Sequence, residues 1–290
     1  MTTDIPGIKA RLALRTDVYT LLRESDESTD KFENYIVNCG WRNHDILLLL
    51  VKRIITYFGK HISDEELNGK TQKELNQMLH QIMNTKFTNT KEWKNKTTHK
   101  VIMSLIRSRP RDMIKLCTFA SKAAYDRDEN SKIILDTDFE SILSDYSLNR
   151  VQDIVNEFKY ELQNIETLLY RMAPTTKEIR EKIKNTYVYT TSELLEKIKN
   201  VMSNSILKLT YKDHTDPIDI GHFLFKIGFI TARKEINGKI DRKHYDEKKQ
   251  LLKSGQIGDG GYGWEIHPAY RSAISTSQKD AWMSTVIIDD

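Results

Sequence analysis

The stretch Pro217-Ile218-Asp219-Ile220-Gly221-His222-Phe223-Leu224-Phe225-Lys226-Ile227-Gly228-Phe229-Ile230-Thr231-Ala232-Arg233-Lys234 changes its period partway, and its reading decides the fold of the C-terminal third. Proline suits the first turn of a helix, so Pro217 opens one over 217–227. Gly228 then leads into a run, 228–234, that reads as a strand. A charged loop over 235–253 follows, then a turn rich in glycine (Gly255, Gly258, Gly260, Gly261, Gly263), then a second strand, Trp264-Glu265-Ile266. Pro268 starts a closing helix over 268–275. Upstream, 176–185 and 192–203 read as short helices opened by Ser/Thr with Glu close behind, and 206–209 as a short strand.

Three helices followed by a two-strand hairpin is the order expected of a winged helix, with the 235–253 loop as the wing. The residues ahead of Pro174 follow a different pattern. Apolar positions at helical spacing predict helices over 45–58, 71–83, 99–107, 111–125, 139–146 and 148–170, with Ser63 and Glu66 spaced as a capping box. Pro174 marks the boundary between the two parts.

The whole chain has 290 residues, 39% of them hydrophobic, and two cysteines, Cys39 and Cys117. Its longest apolar run, 46–51, is far short of the roughly 20 residues of a membrane-crossing helix. No basic and apolar leader follows Met1, and the cysteines match no zinc or redox spacing, so a cytoplasmic protein with both thiols in its core is expected. No segment fits G-x-x-x-x-G-K-[ST], G-x-S-x-G or H-E-x-x-H, and no paired Cys/His cluster occurs. Neither a catalytic residue nor a metal ligand is therefore expected, and His267 reads as a packing residue.

The net charge is only +4, but it is unevenly placed. Residues 171–253 hold 18 Lys/Arg against 11 Asp/Glu, whereas the first 170 residues balance. A basic block is compatible with an anionic partner and equally with a solvated surface. The wing residues Arg233, Lys234, Lys239, Arg242 and Lys243 are the candidate nucleic-acid contacts. The helix over 217–227 has Lys226 as its one basic residue, so base-specific readout in a major groove is not expected. The aromatics Phe223, Phe225, Phe229, Tyr262, Trp264 and Tyr270 read as core. At the other end, Ile8, Ala10, Leu12 and Leu14 alternate as in a strand over 8–15, which needs a neighbour to satisfy its backbone.

The segment Ile106-Arg107-Ser108-Arg109-Pro110-Arg111-Asp112-Met113-Ile114 resembles the R-P-R-D signature at the lid of bacterial AAA-like P-loop ATPases. These are related to the STAND and KAP classes and are often encoded in phage-defence loci. Leu14-Arg15-Thr16-Asp17-Val18-Tyr19 is similar to that family's sensor strand, 139–157 to its lid helices, and 224–230 with 266–271 to its C-terminal winged helix. The resemblance spans nearly the whole chain but only the second half of such an ATPase, because the Walker A loop and Walker B strand that would precede Ile8 are missing.

The resemblance implies a mainly α chain: a remnant sensor strand and loop of a P-loop core over 1–35, an AAA-type helical lid bundle over 36–173, and a winged-helix (α+β) domain over 174–290. It implies the regulatory and interaction half of a P-loop ATPase switch in anti-phage defence. ATP and Mg belong to the family's activity, but neither is expected on this chain alone. The implied partner is the P-loop core, in cis or in trans, with DNA as a second candidate and a homo-oligomer left open. Arg15, Asp17, Arg109 and Arg111 are the nucleotide-sensing candidates. Arg15 can equally pair with Asp17. Arg109 is the first choice in its segment, since Pro110 fixes the backbone beside it, while Arg107 and Arg111 also read as structural. Asp112 reads as the cap of the following helix. The alternative is a stand-alone winged-helix protein that binds DNA non-specifically through its wing.

Overall fold

A computed structural model describes residues 11–14, 18–19, 22, 34–37, 39–89, 93–182, 186–237, 239–253 and 259–275. The chain divides into two units, Met1–Gly40 and Trp41–Asp290. In the first, residues 11–14 of the expected strand are exposed and in no strand; residues 8–10, Arg15 and Asp17 lie outside the described residues. Cys39 is exposed, which corrects its assignment to the core.

The second unit is mainly helical and carries one small sheet. Its elements are α1 (Asn43–Tyr57), α2 (Asp64–Asn68), α3 (Gln72–Met78), α4 (Thr98–Leu105), α5 (Pro110–Arg127), α6 (Asp136–Ser141), α7 (Leu143–Phe158), α8 (Ile165–Arg171), α9 (Thr176–Lys182), β1 (Val188–Tyr189), α10 (Thr191–Met202), α11 (Pro217–Lys226), β2 (Ile230–Ile236), β3 (Lys239–Lys243), β4 (Gly263–Ile266) and α12 (Pro268–Ile274). Local chemistry explains most of the starts. The Oγ of Ser63 accepts the N–H of Glu66, Thr71 and Glu74 cap α3 reciprocally, Thr190 and Glu193 do the same for α10, and proline opens α5, α11 and α12.

Several predicted elements differ, and the break expected between 146 and 148 falls inside α7, the helix over 139–146 being divided between α6 and α7. The single helix expected over 148–170 is two, α7 and α8. Between them Lys159, Tyr160 and Glu161 interrupt the apolar stripe, and Asn164 takes a left-handed φ of 58° while its side-chain amide donates to Ile206 O. The expected strand at 206–209 is a single antiparallel bridge, Leu162 to Leu209. The expected hairpin is also larger than a two-strand unit. The sheet has four antiparallel strands in the order β1-β4-β2-β3. Strand β3 lies inside the supposed wing loop, hidden from apolar periodicity because it reads Lys-Ile-Asp-Arg-Lys, and it pairs Lys234 with Asp241 across to β2. Strand β1 has only two residues, too few to show a period.

Two apolar clusters make the core. One is built from α1 to α6 and the start of α7, including Ile46, Leu75, Val101, Met113 and Tyr146. The other runs from Val151 to Ile274 and includes Phe223, Phe225, Phe229, Trp264 and Tyr270, with Tyr262 packed against it. The change of cluster falls inside α7, between Tyr146 and Val151, upstream of Pro174. Helix α12 belongs to both, with Ala269 in the first cluster and Tyr270 and Ile274 in the second. It packs against α7, where Ser147 Oγ accepts the N–H of Ala273 at 2.9 Å.

Candidate functional site

Apart from Asp136 and Asp138, which are held at α6 by Asn89 and Arg127, the buried charges of the second unit lie along or beside the seam between these clusters. Ile106 ends α4 in an extended conformation, and residues 106–109 form the loop into α5. Arg107 turns inward from this loop, 9% exposed, with its Nε 3.0 Å from Asp112 Oδ2 and its guanidinium carbon 5.7 Å from the centroid of the Tyr270 ring. Asp112 therefore does not cap α5 with its side chain. Its carboxylate is held between two arginines, Arg107 and the fully buried Arg150 of α7. Arg150 also meets Asp153 at 2.7 Å, and Lys115 joins Asp153 at 3.2 Å. Burial alone would raise the Asp112 carboxyl, but Arg107 and Arg150 outweigh it and hold the group below its ordinary value.

Arg109 and Arg111 point the other way. Both are exposed, and Arg109 makes a long pair with Glu157 of α7 at 3.5 Å. Between the inward and the outward arginine, Ser108 holds a left-handed φ of 51°, a region costly for a residue with a Cβ. One short loop thus presents cations to solvent beside the N-terminus of an 18-residue helix while anchoring that helix to α12.

A second buried cluster sits on the sheet. Glu265 of β4, 2% exposed, receives Arg271 of α12, Arg242 of β3 at 3.2 Å and Arg233 of β2 at 3.5 Å. Burial works against this carboxylate, yet Arg271 and Arg242 hold it below its ordinary value. Two of the five expected nucleic-acid contacts are thus turned onto an internal acid. Lys234 donates to Gly260 O at 2.9 Å and lies over the Tyr262 ring, and Lys243 pairs with Asp241 and Glu247. The backbone of Lys239 pairs with Ile236, and its side chain lies outside the described residues.

His267 lies between the clusters as the N-cap of α12, its Nδ1 accepting the N–H of Ala269 at 3.2 Å. Burial, then the neighbouring His244 and the cations Arg107, Arg271 and Arg242, push its pKa well below the ordinary histidine value. Cys117 is pushed up to about 12 by burial, so its thiol stays protonated and unreactive. Among the described residues no group of three or more His, Cys, Asp or Glu is placed to hold a metal, and no helix is long and apolar enough to cross a membrane.

The seam residues that the sequence reading passed over are Arg150, Arg271 and Glu265. Their signal is a charge at a core position: Arg150 stands between Tyr146 and Ile154 at intervals of four on the buried face of α7, and Glu265 between Trp264 and Ile266.

The segment with the R-P-R-D loop and both helices that it ties together, α5 and α7, has a counterpart among known families. Residues 44–155 match the family model of the FunZ-associated C-terminal helical domain. The match ends inside α7, close to where the apolar cluster changes. Comparison of the chain with curated proteins and with solved structures gave no match.

Proposed function

We propose that this chain is the regulatory and interaction part of a nucleotide-driven switch whose ATP-hydrolysing P-loop core is supplied in cis or in trans. In this reading α1 to α7 act as a lid, and the sheet with α10, α11 and α12 acts as a winged-helix module that packs on protein. The observation that carries it is the division of labour in the loop before α5: Arg109 faces solvent while Arg107, two residues away, is buried against Tyr270. A phosphate drawn to the N-terminus of α5 competes with Glu157 for Arg109. The resulting shift passes through Ser108 to Arg107 and from there to α12, which packs into both clusters.

ATP and its magnesium would be held by residues of that core, and ATP would supply the phosphoryl group that Arg109 reads. The matched family, a C-terminal helical domain, supports a role beside another domain, and the resemblance to defence ATPases supports a setting in anti-phage defence. A wing that binds DNA has less support, because Arg233 and Arg242 face Glu265.

Two measurements test the proposal. Titration of the purified chain with a fluorescent ATP analogue is expected to give no micromolar binding and no hydrolysis, and micromolar binding without a partner overturns the reading. When the chain is co-expressed with a P-loop protein from its own locus, Arg109→Ala is expected to leave the complex intact and to reduce its ATPase rate at least about tenfold, the range of a lost phosphate-facing arginine. An unchanged rate removes Arg109 from the switch.

A further inference from the structure

We propose that the surface where the turn after α7 meets residues 205–211 binds single-stranded nucleic acid by base stacking. The two segments are joined as a short antiparallel pair around the Leu162–Leu209 bridge: the N–H of Gln163 donates to Lys208 O at 3.2 Å, and the N–H of Thr210 donates to Glu161 O at 3.0 Å. Tyr160 and Tyr211 adjoin these two hydrogen-bonded residues, Glu161 and Thr210, in the chain, and each stands in a turn. Both rings are open to solvent, Tyr160 at 78% and Tyr211 at 48%.

Each ring carries an ammonium group. Lys159 Nζ lies 5.2 Å from the Tyr160 centroid, and Lys226 Nζ lies 5.8 Å from that of Tyr211. Each cation lies over one side of its ring, so any base that stacks on the other side brings its phosphate toward an ammonium group. The exposed residues around the rings are mostly charged or polar, Lys159, Lys208, Thr210, Lys212 and Asp213, unlike the charge-depleted centre of a protein-docking site. Charge has the smaller share. Lys226 is already paired with Glu161, and Lys212 with Asp219, while Asp213 is also exposed; Lys159 and Lys208 are the cations that these pairs leave facing outward. The surface is separate from the β2–β3 hairpin, where the arginines are engaged internally.

Fluorescence anisotropy of the full chain with labelled oligo(dT) of about 20 nucleotides tests this, with a duplex of equal length as comparison. Expected are binding of the single strand in preference to the duplex, a shallow salt dependence with a slope of about −0.7 to −1.4 (one or two phosphates), and a loss of at least about tenfold in Tyr160→Ala/Tyr211→Ala. Tyr160→Phe/Tyr211→Phe should retain the affinity, because stacking needs the ring and not the hydroxyl. If the double alanine variant does not fold, Tyr160→Ala alone carries the test at the more exposed position. Absence of oligo(dT) binding at low salt, or affinity unchanged on loss of the rings, overturns the proposal. So does a dimer that depends on these rings without any oligonucleotide bound, since that assigns the surface to a second copy of the chain. None of these measurements involves ATP, so their outcome is independent of the switch.

Discussion

The guanidinium of Arg107 and the ring of Tyr270 join the loop before α5 to the first turn of α12, 5.7 Å from carbon to centroid. Tyr270 is fully buried and packs against Phe229 at 5.1 Å, yet its hydroxyl makes no hydrogen bond of full geometry among the described residues and has the Arg107 guanidinium as an electrostatic neighbour. The ring and the hydroxyl therefore make opposite predictions. Tyr270→Ala should cost about 3–5 kcal/mol, the range for a large aromatic removed from a core. Tyr270→Phe should change stability by less than about 1 kcal/mol, because the group removed was already unsatisfied. Urea unfolding of the two variants separates them, and a large loss in the phenylalanine variant would show that the hydroxyl has a partner.

Asp112 is the one acid that Arg107 and Arg150 share, so Asp112→Asn leaves two buried arginines under-compensated. The expected loss is about 3–5 kcal/mol. By contrast Glu157→Gln, at the exposed pair with Arg109, should stay within about 1 kcal/mol. The same geometry sets an acid limit. The folded-state pKa of Asp112 lies below its ordinary 3.8, so its contribution is complete above that value and is lost as the pH falls through the folded pKa. Unfolding measured from pH 5 downward should show this loss in the parent chain and a smaller one in Asp112→Asn.

Helices were legible where composition and period agreed. Pro110, Pro217 and Pro268 each mark a helix start that the structure contains, because proline acts through local backbone geometry. The sheet was only partly legible, since β1 has two residues and β3 is charged at every position but Ile240, and their pairing is a tertiary fact. The arginines in the loop before α5 were visible as a cluster, but their division was not. Arg107 and Arg109 differ by the turn of one backbone at Ser108, which no residue type announces. Nor does sequence say that Arg233 and Arg242, read as surface cations, share a buried acid.

That shared acid makes a stability prediction for the hairpin. Arg233 and Arg242 are cross-strand partners, and Glu265 lies beneath both with Arg271. Glu265→Gln should lower stability by about 3–5 kcal/mol, as expected when a buried charge loses its partner. Arg242→Ala should also destabilise, whereas Lys243→Ala, in partly exposed pairs with Asp241 and Glu247, should cost no more than about 1 kcal/mol. Thermal unfolding of the three variants checks the order. Equal, negligible losses would mean that the arginines are surface groups after all.

The seam should also respond to mild acid, through His267. Its Nδ1 accepts the first N–H of α12, so it must be unprotonated to cap the helix. Burial disfavours the imidazolium first, and the neighbours His244, Arg107, Arg271 and Arg242 add to the penalty. The folded pKa is therefore depressed, and the unfolded chain takes up the proton more readily. Stability from this group is complete above the ordinary value of 6.5 and declines as the pH falls below it toward the folded pKa, by up to about 1.4 kcal/mol per pH unit. His222 and His244 are depressed in the same sense, chiefly by burial, and steepen the decline. Asn is a strong N-cap that carries no proton, so His267→Asn should preserve the helix start while reducing proton uptake on unfolding by about one. Denaturant midpoints at several pH values between 7 and 5 provide the slope. If His267→Asn leaves that slope unchanged, His267 is not the group that makes α12 sensitive to acid.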